Sequence, residues 1–208
     1  MGADERRGRR AVFLDRDGVI NRNVLNPATG EYESPLTVAE FALIPGAREA
    51  LLRLQEAGFL LFLVSNQPNY AKGKSSLAEL DAIDAALRRE LAAIGVEFAA
   101  FYYCLHHPEG VVAGYSGACI CRKPSPYFLL KAIREFGLDA AESWMVGDRT
   151  TDVLCGRAAG VRTIYINAKG GYCGGLAADR TAVDLAAASA YICEAAACRL
   201  LKLQIESL

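Results

Sequence analysis

A chain of 208 residues, 52% of them hydrophobic, can bury a full core, and the expectation is one domain spanning 1–208. The net charge of −1 excludes a general electrostatic footprint for nucleic acid or an anionic membrane, and no stretch approaches the length needed to span a bilayer. Arg6, Arg7, Arg9 and Arg10 cluster at the start, but the apolar run after them stops at Asp15, too short for the core of a signal peptide. A solvated terminus on a cytoplasmic protein is expected. The seven cysteines are an odd count without such a signal, which argues for metal ligation or free thiols over a disulfide framework.

Strand and helix signals alternate along the chain. Residues 11–15 predict a strand, four apolar residues running into Asp15-Arg16-Asp17-Gly18. Side chains alternate along a strand, so Asp15 and Asp17 set out on the same side, and Gly18 lets the chain turn away. Residues 46–57 predict a helix between Pro45 and Gly58. The apolar run 59–65 has the character of a strand buried on both faces, and a helix over 76–94 follows, capped by Ser75 or Ser76 and stopped by Gly95. Phe98–Cys104 is a third strand, and 105–125 is a loop rich in Gly, Pro and Cys. Beyond it come a helix at 126–136, a strand at 143–147, a helix at 150–159, a strand at 162–166 and an alanine-rich helix at 181–203. This order predicts an α/β fold with a doubly wound, mainly parallel sheet. The last helix either covers the sheet or pairs with a second copy; a monomer is expected.

Sheets of this kind carry their sites beyond the carboxyl ends of the strands. Asp15 and Asp17 stand at the first such end, Ser65-Asn66-Gln67 at the second, and Gly147-Asp148-Arg149 at the fourth, with Asp152 one turn later. Lys123 lies just ahead of the helix that leads to the fourth strand. Singly, each group has a plainer reading as a turn, a helix cap or a solvated lysine. Four such coincidences in this order do not.

Asp15-x-Asp17-Gly18, Ser65, Lys123 and Gly147-Asp148-x-x-x-Asp152 together resemble the four ordered motifs of the haloacid dehalogenase-like (HAD) hydrolases. The resemblance covers residues 11 to about 167 and implies phosphoryl transfer with Mg²⁺ and an aspartyl-phosphate intermediate. By it, Asp15 is the nucleophile and Asp17 the general acid and base. Asp15, the main-chain carbonyl of Asp17, and Asp148 hold Mg²⁺; Ser65, the Asn66 main-chain N–H and Lys123 bind the transferring group. Asp152 and Arg149 have supporting roles, Asp152 orienting Lys123 or metal-bound waters.

Cys104-Leu105-His106-His107 and Cys119-Ile120-Cys121 supply a closed set of soft and borderline ligands, the chemistry of a structural zinc site in a loop of about 104–121. The alternative is reduced, buried thiols, but Cys119 and Cys121 fall in a polar loop. His106 gives the tighter spacing, with His107 as the other candidate. Cys155, Cys193 and Cys198 read as helix-packing thiols, and Cys173 has no ligand-like spacing.

The Cys-x-His and Cys-x-Cys-Arg-Lys-Pro pair, with Asp15-Arg16-Asp17-Gly18-Val19-Ile20-Asn21, is similar to a narrower group, the heptose 1,7-bisphosphate phosphatases and the related histidinol-phosphate phosphatases. That resemblance implies no separate cap domain, Zn²⁺ on Cys104, His106, Cys119 and Cys121, and Arg122 on the phosphate or sugar of a small substrate. The chain departs from it after Gln67. Where the heptose enzymes carry Ser-Gly, a small residue and Arg-Gly, this chain reads Pro68 to Lys74, with Lys72 as a point charge in place of an arginine fork. Another sugar phosphate, or histidinol phosphate, stays open as substrate. A nucleic-acid phosphatase is disfavoured by the lack of a basic, aromatic-interleaved groove, and a non-catalytic zinc-loop binding module by the intact acid set.

Overall fold

The computed structural model describes residues 8–27, 30–167 and 178–206, with side chains in the last helix as far as Arg199. Its order is β1 (Ala11–Leu14), β2 (Val24–Leu25), β3 (Tyr32–Glu33), α1 (Ala47–Glu56), β4 (Leu60–Asn66), α2 (Leu77–Ala92), β5 (Phe98–Cys104), α3 (Tyr127–Phe136), β6 (Trp144–Gly147), α4 (Thr150–Ala158), β7 (Arg162–Ile166), β8 (Arg180–Ala182) and α5 (Leu185–Glu206). The main sheet runs β5-β4-β1-β6-β7-β8 with every neighbour pair parallel. The α/β class read from the sequence therefore holds.

Alternation along the strands divides the core into two layers. Val12 and Leu14 face Leu61, Leu63, Trp144, Val146 and Ile164 on the side covered by α1, α2 and α5. Ala11 and Phe13 face Phe62, Val64, Tyr102 and Met145 on the side covered by α3 and α4. With helices on both faces, β1 has no solvated side, which is why its four residues are apolar without alternation and 0% exposed. Because β1 is flanked by β4 and β6, its carboxyl end meets theirs, and the acidic, hydroxyl and glycine-aspartate segments converge.

Local signals set the helix ends. The Ser76 hydroxyl accepts from the Glu79 N–H at 3.2 Å, while Glu79 accepts from the Ser76 N–H at 2.7 Å, closing a capping box on α2. The chain differs from expectation at its end. Residues 180–182, of which Thr181 and Ala182 were read as the start of the last helix, form β8, with Thr181 and Ala182 paired to Tyr165 and Ile166. Helix α5 begins afterwards, where the Asp184 carboxylate accepts from the Ala187 N–H at 2.7 Å. Between β1 and α1, β2 and β3 make a small antiparallel ribbon. Cys155 is buried and Cys193 half-buried, as packing thiols should be, but Cys198 is exposed, because its turn of α5 extends past the sheet core. Cys173 lies outside the described residues. Among those residues, no helix is long and apolar enough to cross a membrane.

Candidate active site and metal cluster

A cleft of about 1000 Å³ opens at the carboxyl edge of the sheet, with Asp15, Asp17, Lys123, Asp148 and Asp152 among its lining. Gly18 sits there with φ at 82°, and a Cβ at that position would collide with the Asp148 carboxylate. Glycine is required twice over, for the turn and for the close approach.

Lys123 organises the floor. Its ammonium lies 2.9 Å from Asp15 Oδ1 and 2.6 Å from Asp152 Oδ1, and donates to the Val64 carbonyl at 2.7 Å. Two ion pairs and one hydrogen bond thus hold the ammonium, as a lysine 3% exposed demands. Burial works against its charge, but Asp15 and Asp152 outweigh burial and hold the pKa above the usual lysine range. Asp152 also accepts from the Arg149 N–H at 3.0 Å, so it caps α4 with one oxygen and grips Lys123 with the other. Of the supporting pair named from the sequence, Asp152 is buried and Arg149 is an exposed residue at the cleft. The Asn66 side chain holds the lysine from behind, donating to the Lys123 carbonyl at 3.1 Å and accepting from the Lys123 N–H at 3.0 Å.

Asp15, Asp148 and Asp152 each offer a carboxylate oxygen, all within 4.8 Å of one another. Burial, then the charges of Asp15 and Asp152, push the Asp148 carboxyl up to about 7. Asp148 Oδ1 is buried without a hydrogen-bond partner. One lysine cannot balance three such carboxylates, and a hard cation with oxygen preference fits the remainder.

The sequence placed Arg16, Asn21 and Gln67 inside its motifs but gave their side chains no role; all three bond to Asp17 in the interior. Charged and amide residues beside a turn carry no signal that they will be buried. Sequence reasoning missed Tyr165 on the cleft wall and the strap formed where Lys74 Nζ meets Glu33 Oε2 at 2.8 Å.

The second cluster stands at the end of β5. Cys104, His106, Cys119 and Cys121 place one ligand atom each within a 4.8 Å group. Cys119 Sγ is 3.5 Å from Cys104 Sγ and 3.6 Å from Cys121 Sγ, and Cys121 Sγ is 3.8 Å from His106 Nδ1; none is in a disulfide. His107 instead accepts from the Glu109 N–H at 3.1 Å, so the geometry brings His106 into the group. The cluster connects to the cleft, because Arg122 Nη1 donates to the His106 carbonyl at 3.2 Å. Segment 68–74 is tied to the same loop: the Ala71 carbonyl accepts from Val111 and Val112 at 2.6 and 3.1 Å, and Tyr70 packs edge-on to Tyr115.

A D-glycero-beta-D-manno-heptose-1,7-bisphosphate 7-phosphatase of Vibrio cholerae serotype O1 is 40% identical over 153 residues, which are 74% of this chain and 78% of that protein. The chain belongs to that family. The enzyme of the same name from Escherichia coli K12 is 37% identical over 74% of this chain and 76% of its own length. A family model described as HAD-hydrolase-like matches residues 120–173. Among solved structures, the D,D-heptose 1,7-bisphosphate phosphatase from B. bronchiseptica complexed with magnesium and phosphate matches with a TM-score of 0.71 at 30% identity, covering 89% of this chain and 98% of that one. A HAD-like phosphatase from Mesorhizobium loti matches with a TM-score of 0.75 at 26% identity over 91% and 87%. The chain is a HAD-type phosphatase, a hydrolase of phosphoric monoesters.

Proposed function

We propose that this phosphatase removes the 7-phosphate of a D-glycero-D-manno-heptose 1,7-bisphosphate, with Asp15 as nucleophile and Asp17 as proton carrier. The observation that carries the chemistry is Lys123, buried and bridging Asp15 to Asp152 at the floor of the cleft. The substrate follows from the relatives that share 37–40% identity with this chain.

Asp15 attacks phosphorus as the bond to the leaving oxygen breaks, giving an aspartyl phosphate. Asp17 gives its proton to the leaving alcohol. Water then attacks phosphorus, Asp17 takes the proton, and the Asp15 carboxylate is restored. Lys123, the Ser65 hydroxyl and the Asn66 main-chain N–H hold the oxygens of the transferring group. Asp15, Asp148 and the main-chain carbonyl of Asp17 would hold Mg²⁺, which when bound neutralises charge on those oxygens. The orphaned Asp148 oxygen supports that fit. Cys104, His106, Cys119 and Cys121 would hold a structural Zn²⁺, whose role is to fix the loop that presents Arg122 and Lys123.

A second reading, hydrolysis of a different sugar phosphate or of histidinol phosphate, is favoured by segment 68–74. There Lys72 and Lys74 face Glu33 across the cleft mouth, in place of the arginine expected of a heptose enzyme. Phosphate release from both heptose bisphosphate anomers, histidinol phosphate and common hexose and pentose phosphates decides between the two. Selective turnover of one bisphosphate, lost in Asp15→Asn, supports the heptose assignment. Selective turnover of another substrate removes it.

A further inference from the structure

Behind the nucleophile strand lies a buried polar group that phosphoryl transfer by itself leaves unexplained. Arg16 is 1% exposed, and a guanidinium in the interior is destabilising unless its donors are matched. Here they are. Asp17 Oδ1 accepts from Arg16 Nε at 3.1 Å and from Nη2 at 3.0 Å, and Gln67 Oε1 accepts from Nη2 at 2.9 Å.

A guanidinium only donates, so the Gln67 amide must turn its oxygen toward Arg16. Its nitrogen is thereby directed at Asp17 Oδ2, 2.5 Å away, and at the Ser65 hydroxyl, 3.0 Å away. Asn21 Nδ2 adds a further donor to Asp17 Oδ1 at 2.9 Å. Neither Arg16 nor Gln67 lines the cleft, whereas Asp17 does. The two residues therefore cannot bind substrate from where they stand, yet between them they determine where the Asp17 carboxylate points.

We propose that Arg16 and Gln67 are positioning residues for proton transfer, aiming Asp17 at the leaving-group oxygen and tying that aim to Ser65 on the transferring group. The inference rests on the assignment of Asp15 as nucleophile and Asp17 as proton carrier. In the first step the Asp15–phosphorus bond forms, the bond from phosphorus to the leaving oxygen breaks, and the proton passes from Asp17 to that oxygen. A carboxyl free to rotate would reach the oxygen in only a fraction of bound complexes.

The test compares kcat/KM, which reports the steps through the first phosphorus–oxygen cleavage, on two substrates of opposite demand. A sugar phosphate leaves as an alkoxide and needs the proton, whereas p-nitrophenyl phosphate leaves as a stable phenolate and does not. Arg16→Met is expected to lower kcat/KM for the sugar phosphate about 100-fold while holding the aryl ester within about threefold, and Gln67→Met, which also frees the Ser65 hydroxyl, to lower both with the larger loss on the sugar phosphate. Arg16→Lys recovers part of the sugar phosphate rate. Partial unfolding scales both substrates alike, so the ratio within one preparation is insensitive to it. Equal losses on the two substrates, or no loss on either, overturn the positioning role. The Asp15→Asn control separates the two claims. Turnover that survives it overturns the nucleophile assignment, while turnover that vanishes in it, with equal losses in Arg16→Met, overturns the positioning role alone.

Discussion

Asn66 and Lys123 hold one another by two hydrogen bonds, side-chain amide against peptide, across 57 residues of sequence. Asn66 ends β4 and Lys123 ends the metal-cluster loop, so this clasp delivers the lysine to the sheet edge. Asn66→Ala leaves the peptide groups of Lys123 without those partners, a loss of about 1–3 kcal/mol. Denaturant unfolding should show that loss, and kcat should fall about 10- to 100-fold as the ammonium shifts from the phosphate site. Unchanged kcat with lowered stability would assign the clasp to folding alone.

Asp148 contributes a charge that the metal-free protein does not compensate. Burial and the neighbouring Asp15 and Asp152 disfavour its ionised form. Asp148→Asn should therefore raise the Tm of the metal-free protein, yet abolish the stabilisation that Mg²⁺ confers and lower kcat by about 1000-fold. Thermal unfolding with and without Mg²⁺, beside a rate assay, measures all three. A variant that keeps its response to Mg²⁺ would remove Asp148 from the ligand set.

The cysteine cluster lies at the rim of the sheet and not in either core layer. Cys119→Ser is expected to reduce bound zinc from about one ion per chain to a small fraction, with circular dichroism of the sheet and helices retained. Activity should fall with the zinc, because Arg122 bonds to the His106 carbonyl. A Cys119→Ser protein with full zinc and full activity would defeat the proposed role of the loop.

Burial, more than the nearby charges, pushes the Cys155 thiol up to about 12, and its Sγ donates to the Ser125 carbonyl at 3.2 Å. A group whose folded pKa lies above its unfolded value stabilises the fold below the unfolded value, near 9.0 here, and loses that contribution as pH rises toward about 12. Stability should therefore decline between those limits, and Cys155→Ala should flatten the decline. At neutral pH, iodoacetamide should modify exposed Cys198 first and Cys155 only on unfolding, as mass spectrometry of the peptides can read. Early labelling of Cys155 would contradict its burial.

The fold class and the ordered acidic motifs were legible from the residues alone. Buried parallel strands are short apolar runs, and the runs at 11–14 and 59–65 stand out as such without an alignment, matching Ala11–Leu14 and, shifted by one residue, Leu60–Asn66. The site motifs were legible too, because an Asp or Ser immediately after such a run sits at the strand's carboxyl end in any doubly wound sheet. Where only long-range pairing decides structure, the residues were silent. Thr181 and Ala182 have the composition of a helix start and became strand because the edge of β7 offered unpaired peptide groups.

The tertiary structure also chose between neighbours that the sequence could not separate. His106 and His107 are adjacent and chemically equal; the turn beyond β5 points the first at Cys121 and leaves the second to a backbone N–H. Arg16 and Gln67 stood inside the motifs without a role until the sheet brought the ends of β1 and β4 together and closed water out around them. Hydrophobic periodicity is a local property, so the sequence by itself determined the layers of this protein and the order of its motifs. Partner choice among buried polar groups depends on desolvation, and that exists only once the layers have packed.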